Sequence, residues 1–268
     1  MDCVDEYSHS SPQVIYFSKS IPTKEVEKKI EYSNVFCQCV GSCDQNANCA
    51  CMKQSGTRYS YTDRTELENY VLIYKNINRP TYECNEQCQC KNTLCGNKLI
   101  QCGPRTGLIV KICDDSRKGL GVFTEKLVKC GNFICEYAGE IISEVEASMR
   151  FKINARVQRM NYIFCVDEYF GDKNIKTFID PTFYGNIGRY LNHSCDPNCS
   201  MVITRINDNI PVVALFACRD IIEGEELSYD YGITDLSSEI EDPETSRTKC
   251  LCGSVNCKGF LPYDTRIM

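Results

Sequence analysis

Residues 37–51 read CQCVGSCDQNANCAC and residues 84–95 read CNEQCQCKNTLC, and these two stretches hold nine of the chain's 21 cysteines. Scattered structural cysteines would be dispersed evenly, whereas these fall as C-x-C-x3-C-x5-C-x-C and C-x3-C-x-C-x4-C. Tight C-x-C pairs are poor disulfide partners but good neighbours on a metal cluster, where one thiolate can bridge two ions. Zinc takes four ligands, so three ions need twelve metal–sulfur bonds, which six terminal and three bridging thiolates supply. Cys37, Cys39, Cys43, Cys49, Cys51, Cys84, Cys88, Cys90 and Cys95 are therefore expected to hold one trinuclear zinc cluster. The loop-rich segment around them, residues 37–107, reads as a module in which metal replaces much of a core.

A second set, Cys250, Cys252 and Cys257, is spaced C-x-C-x4-C near the other end. Three thiolates leave one tetrahedral position open, for a water in a catalytic site or for a cysteine distant in sequence. The spacing is compatible with both. Disulfides are not expected: the cysteine count is odd, and the opening MDCVDEYSHSSPQ lacks a charged region followed by an apolar signal core. The longest apolar run, Val212–Cys218, is seven residues, against the roughly 20 needed to span a bilayer, so a membrane-spanning class is set aside. Cys3, Cys102, Cys113, Cys130, Cys135, Cys165, Cys199 and Cys218 are expected to be core or surface thiols.

From Leu108 the character changes to short β-prone runs: LIVKIC, GVFT, NFICEYAG, NYIFCV, TFID, MVITRI and VVALFAC. Such runs between glycine-containing turns predict a mainly β assembly of short strands rather than a doubly wound parallel sheet. One helix interrupts them. Ser143 with Glu146 forms a capping-box signature, and Val145, Met149, Ile153 and Val157 follow as an apolar stripe that either packs on the sheet or meets a substrate. Arg58 to Lys75 has β-prone residues but no sustained period. Asp235 to Thr248, DLSSEIEDPETSRT, reads as a flexible linker to the last cysteines. The expected organisation is a strap over 1–36, the zinc module over 37–107, a catalytic domain over 108–234, and a linker with zinc-binding tail over 235–268.

Three motifs carry chemistry. Gly119-Leu120-Gly121, within RKGLGVF, permits close approach of a ligand to the backbone, with no dinucleotide fingerprint following it. Gly185–Cys195, GNIGRYLNHSC, gathers turn formers, an arginine, an amide and one of only two histidines, which could serve as a base, a zinc ligand or a structural group. Glu225–Tyr231, EELSYDY, places Tyr229 and Tyr231 on one face of a strand.

The nine-cysteine cluster, RKGLGVF, EYAGE, NHSC, ELSYDY and CLCGSVNC occur in the order found in pre-SET/SET/post-SET protein lysine methyltransferases, and over roughly residues 37–262 the chain resembles that family. The stretch CDDSRKGLGVFTEKLVKCGNFICEYAGE is most similar to the branch whose SET portion is fused to a mariner transposase, whose DNA activities are not expected here. The resemblance implies a SET fold with knot-like threading, a trinuclear zinc pre-SET module before it and a zinc-binding post-SET tail after it. It implies that S-adenosylmethionine lies against Lys118, Gly119 and Leu120, with Tyr162, Arg189, Asn192 and His193 around it and Phe260 and Leu261 covering it. Cys195 becomes the fourth ligand of the tail zinc. Tyr231 becomes the catalytic tyrosine, assisted by Tyr162, and Tyr229 limits the product to mono- and dimethyl-lysine.

The implied partner is the histone H3 tail, with lysine 9 favoured, docked as an added strand and met by Asp167 and Glu168. The implied location is the nucleus, on chromatin, with a separate partner directing the enzyme there. Charge agrees with a lysine-rich substrate. With 36 acidic against 30 basic residues the formal charge is −6, and thirteen zinc-bound thiolates on four ions lower it to about −11. Nucleic-acid phosphates call for a clustered basic surface, so sequence-specific DNA binding is not expected. The competing readings are a catalytically silent SET module that binds chromatin proteins, a zinc-dependent nucleic-acid binder, and a methyltransferase of a non-histone protein. Intact Tyr162, Asn192, His193 and Tyr231 argue against the silent module.

Overall fold

The computed structural model describes residues 13–61, 69–73, 79–90, 95–232 and 248–262. Cys3 and the linker reading over residues 235–247 lie outside the described residues. No helix among the described residues is long and apolar enough to cross a membrane.

The fold is mainly β. Leu108–Ile112, Leu120–Thr124, Phe133–Glu136, Phe164–Phe170, Lys173–Asp180, Cys199–Arg205 and Val212–Ala217 are strands, as the β-prone runs predict. Phe133–Glu136 is buried along its whole length, which is why its sequence shows no apolar–polar alternation. One sheet joins, in order, Phe164–Phe170, Lys173–Asp180, Glu140–Ile142 and Ile21–Pro22. A second joins Asn192–His193, Glu226–Tyr229, Leu120–Thr124 and Leu108–Ile112. A third joins Thr81–Tyr82, Cys199–Arg205, Val212–Ala217 and Phe133–Glu136. Ile134, Ile141, Ile179, Ile187, Leu215 and Leu227 fill the core between them. The N-terminal strap crosses this assembly. Its strand Ile15–Tyr16 runs parallel to Tyr184–Gly185, and the Tyr16 hydroxyl meets that of Tyr190.

Two details depart from the sequence reading. Arg58–Tyr61 and Tyr70–Ile73 pair as antiparallel strands, and Tyr59, Tyr70 and Leu72 pack with Phe133 and Phe216. Strands of four residues are too short to display a period, so composition alone hid this hairpin.

The helix Glu144–Arg156 forms where its cap predicts, but its apolar stripe does not pack on the sheet. The Ser143 hydroxyl accepts the Glu146 N–H at 3.3 Å, while the Glu146 carboxylate binds Arg150 instead of returning to the cap. Arg150 also reaches Glu140 at 2.7 Å and the buried Asp180 at 2.8 Å. This anchor fixes the rotation: Ala147, Arg150, Phe151 and Asn154, spaced three and four apart, face the sheet. The stripe of Val145, Met149, Ile153 and Val157 consequently faces outward, with Val145 81% exposed. Arg150→Met is expected to cost about 2–3 kcal/mol, because it strands the Asp180 carboxylate in the interior. A lowered midpoint of urea unfolding checks this, and an unchanged midpoint would show the anchor to be dispensable.

Candidate active site and metal centres

All nine cysteines of the N-terminal module are buried, and every cysteine among the described residues is a free thiol. Their sulfurs form four overlapping sets of four: Cys37, Cys84, Cys88 and Cys90; Cys37, Cys49, Cys51 and Cys84; Cys37, Cys39, Cys43 and Cys49; Cys43, Cys84, Cys90 and Cys95. Within each set the sulfurs lie inside 4.8 Å of one another. Cys37 and Cys84 each belong to three sets, the sharing that bridging thiolates require. The donor set thus fits zinc in shared tetrahedral sites.

The tail forms a separate centre. Cys195, Cys250, Cys252 and Cys257 bring their sulfurs within the same 4.8 Å, so the position left open by the tail's spacing is met by a cysteine rather than only by solvent. The Lys258 N–H donates to Cys195 Sγ at 3.4 Å, tying the tail there, while the Cys250 N–H, donating to the Gly259 carbonyl at 2.9 Å, closes the tail on itself. Burial pushes the Cys252 thiol up, but hydrogen bonding, chiefly with the Ser254 hydroxyl, outweighs it and holds the thiol down to about 6.

Parallel pairing of Asn192–His193 with Glu226–Tyr229 brings the NHSC and ELSYDY motifs side by side. The Ser194 N–H bonds the Tyr229 carbonyl at 3.1 Å, and the Tyr231 N–H bonds His193 Nδ1 at 3.2 Å. His193 Nε2 lies 3.3 Å from Cys195 Sγ, so both ring nitrogens are engaged and the ring is no free base. Burial lowers its pKa, against the pull of Asp230, and keeps the ring neutral. The segment ahead of it packs closely on the Glu136 backbone because residue 188 is glycine: a Cβ there would meet the Glu136 carbonyl oxygen at 2.5 Å.

Tyr137, Tyr229 and Tyr231 form a hydroxyl-bearing aromatic cluster. The rings of Tyr229 and Tyr231 are 4.8 Å apart, those of Tyr137 and Tyr229 6.0 Å. The Tyr231 hydroxyl donates to the Leu191 carbonyl at 2.9 Å, and the Tyr137 hydroxyl to the Tyr162 carbonyl at 2.7 Å. Burial pushes all three phenols above their usual range, so they remain neutral hydroxyls. Tyr162 sits just before the strand Phe164–Phe170, and its ring lies 4.5 Å from the Arg189 guanidinium.

Lys118, Asn192 and Glu226 meet beside the GLG segment. Glu226 pairs with the Lys118 ammonium through one oxygen and accepts from Asn192 Nδ2 at 2.8 Å through the other; Cys113 Sγ lies 3.4 Å from it. A Cβ at Gly121 would fall 2.7 Å from Cys113 Sγ, so this junction closes only over glycine. A Cβ at Gly119 would meet no atom within 4 Å, which leaves that backbone open to a ligand. A cavity of about 220 Å³ lies alongside, bounded by Lys118 from the turn before Gly119, by His193 and Glu226 from the sheet, and by Cys252, Gly253 and Ser254 from the tail.

The sequence reading assigned Cys113, Tyr137 and Glu226 no role of their own. Tyr137 was findable, since it is the aromatic residue of the EYAGE motif, directly after the strand Phe133–Glu136. Phe260 pairs with Lys249 in the tail, is 43% exposed, and does not border this cavity. Glu168 is engaged internally by Arg205, through one carboxylate oxygen, at 2.6 Å.

The SET domain family matches residues 119–232 and the Pre-SET motif family residues 1–98. The chain is 38% identical over 236 residues to the probable histone-lysine N-methyltransferase set-23 of Caenorhabditis elegans, covering 87% of this chain and 90% of that one. It is 36% identical over 238 residues to the histone-lysine N-methyltransferase SETMAR of Mus musculus, covering 86% and 74%. The methyltransferase domain of human SETMAR superposes with a TM-score of 0.76 at 32% identity, covering 96% of this chain and 91% of that one. KRYPTONITE in complex with mCHH DNA, H3(1-15) peptide and SAH superposes with a TM-score of 0.73 at 28% identity, covering 94% of this chain and 48% of that one. The chain belongs to the pre-SET/SET family of histone-lysine N-methyltransferases. As a member it is an enzyme that takes its methyl group from S-adenosylmethionine.

Proposed function

We propose that this enzyme mono- and dimethylates a lysine of the histone H3 tail, lysine 9 in preference, in the nucleus and on chromatin. The observation that carries the reading is the close, tilted pair of the buried Tyr229 and the half-buried Tyr231, both neutral, beside the NHSC segment. A structural relative holding an H3(1-15) peptide and SAH supports the same substrate. Phe164–Phe170 is the outer strand of its sheet and offers the edge on which an extended tail would add.

S-adenosylmethionine, when bound, supplies an electrophilic methyl group on a positive sulfur. Lys118, Gly119 and Leu120 would hold it by their backbone, with Tyr162, Arg189, Asn192 and His193 around it and Phe260 at the tail. The open space over Gly119 and the polar cavity beside Lys118 fit such a group. The acceptor amine must arrive neutral, whereas free lysine has a pKa near ~10.4. Apolar surroundings disfavour its ammonium form. Tyr231 and Tyr162 orient the amine without adding charge, and in-line alignment supplies much of the acceleration. We read residues 37–107 as holding three zinc ions, 108–234 as the catalytic domain, and 235–268 as the tail with a fourth ion. Residues 1–36 are the strap, and a further partner would direct the enzyme to chromatin.

Intact-mass spectrometry of H3 tail peptides, each with one lysine available, tests the substrate. One or two added methyl groups on a single peptide are expected. No addition to any peptide would transfer the reading to a non-histone substrate. Tyr229 sets the product: its hydroxyl can hold a water where a further methyl group would sit. Tyr229→Phe is expected to raise the trimethyl fraction severalfold on the same peptide, and an unchanged product distribution would make Tyr229 a packing residue only.

A further inference from the structure

A second cavity, of about 210 Å³, opens between the strap, the cysteine-rich module and the third sheet, and none of the residues assigned above lines it. Ile100, Ile141, Ile210 and Val212 give it aliphatic walls. Glu136 also lines it and is only 6% exposed. The Ser20 N–H and hydroxyl both donate to one Glu136 oxygen, Oε1, at 2.9 and 2.6 Å. The other oxygen, Oε2, has no hydrogen bond among the described residues. Burial pushes the Glu136 carboxyl up, with Ser20 and Lys19 opposing, so a cation brought alongside would relieve the desolvation of its charged form. Glu86 and Asp208 add carboxylates to the lining, against the single ammonium of Lys19. Lys19 is exposed and forms no ion pair among the described residues.

A buried carboxylate with one open oxygen, set among aliphatic walls, matches a cation carried on an alkyl stem: the walls take the stem and the oxygen takes the charge. We propose that this cavity binds an alkylammonium group, either the end of a lysine side chain or a free alkyl diamine, with Glu136 as its counter-ion. It is distinct from the methyl-accepting site, because Glu136 and Tyr137 follow one another along the chain and point to opposite faces. The inference therefore stands apart from the choice of methylated lysine.

The Ser20 amide, bonded directly to Glu136, is the reporter. Zinc-loaded, 15N-labelled full chain would be titrated with Nα-acetyl-lysine methylamide, cadaverine and the uncharged isostere Nα-acetyl-norleucine methylamide. A saturable shift of the Ser20 resonance is expected with a charged probe and not with norleucine. Glu136→Gln, which can still accept from Ser20, should weaken that binding at least tenfold, and Asp208→Asn, also in the lining, should weaken it less. Binding of the lysine probe alone would assign the cavity to a peptide side chain; equal binding of cadaverine would show that a free amine suffices. No saturable shift with either amine, an equal response to norleucine, or unaltered binding in Glu136→Gln would overturn the proposal.

Discussion

Tyr231→Phe is expected to lower kcat by about 10³-fold, roughly 4 kcal/mol of transition-state stabilisation, while S-adenosylmethionine still binds. The substitution isolates the hydroxyl. The ring contacts with Tyr229 at 4.8 Å and His193 at 5.3 Å survive in phenylalanine, as does the backbone bond to His193 Nδ1. What disappears is a neutral hydroxyl whose direction is fixed by the Leu191 carbonyl. In the proposed mechanism that group orients the amine lone pair, and misalignment in a displacement reaction costs orders of magnitude. Single-turnover mass spectrometry reads the chemical step, calorimetry the cofactor affinity, and circular dichroism the fold. A loss smaller than tenfold would reduce Tyr231 to packing.

Cys252→Ser is expected to abolish measurable methyl transfer while the nine-cysteine module keeps its metal. Cys252 does two things at once: it completes the four-sulfur centre with Cys195, Cys250 and Cys257, and with Gly253 and Ser254 it forms one wall of the cavity beside Lys118. Loss of one thiolate opens a tetrahedral site and releases the tail from the NHSC segment. The N-terminal module is built from other cysteines and has its own buried core, so it should not respond. Native mass spectrometry should show one zinc fewer than the wild type, with activity gone. Full activity without the tail ion would mean that the tail is not part of the site.

The convergence of the nine thiols was legible because donor identity is written in residue type and their spacing is tight. Strands such as Val212–Ala217 were legible from composition, since a buried strand is one continuous apolar run. The orientation of the helix Glu144–Arg156 was not. Its apolar stripe pointed the sequence reading to one face, while the ion pairs of Arg150 with Glu140 and Asp180, residues distant in sequence or on other elements, turned the opposite face inward. Glu226 and Cys113 were missed for a related reason: their importance lies in converging on Asn192, and convergence is a property of the fold. The pairing of Glu168 with Arg205 was likewise invisible, because the two lie 37 residues apart.

The strap has a temporal consequence. Tyr16 and the Tyr190 whose hydroxyl it meets are 174 residues apart. During translation at roughly 5–20 residues per second, Tyr16 waits about 10–35 s for that partner to emerge. Throughout this interval Ile15, Tyr16 and Phe17 are an unpaired edge on a nascent chain, the kind of segment that chaperones occupy. The first strand among the described residues thus stays undocked until Tyr184–Gly185 has been made, and slowing elongation upstream of Tyr184 would lengthen that interval without altering a single residue.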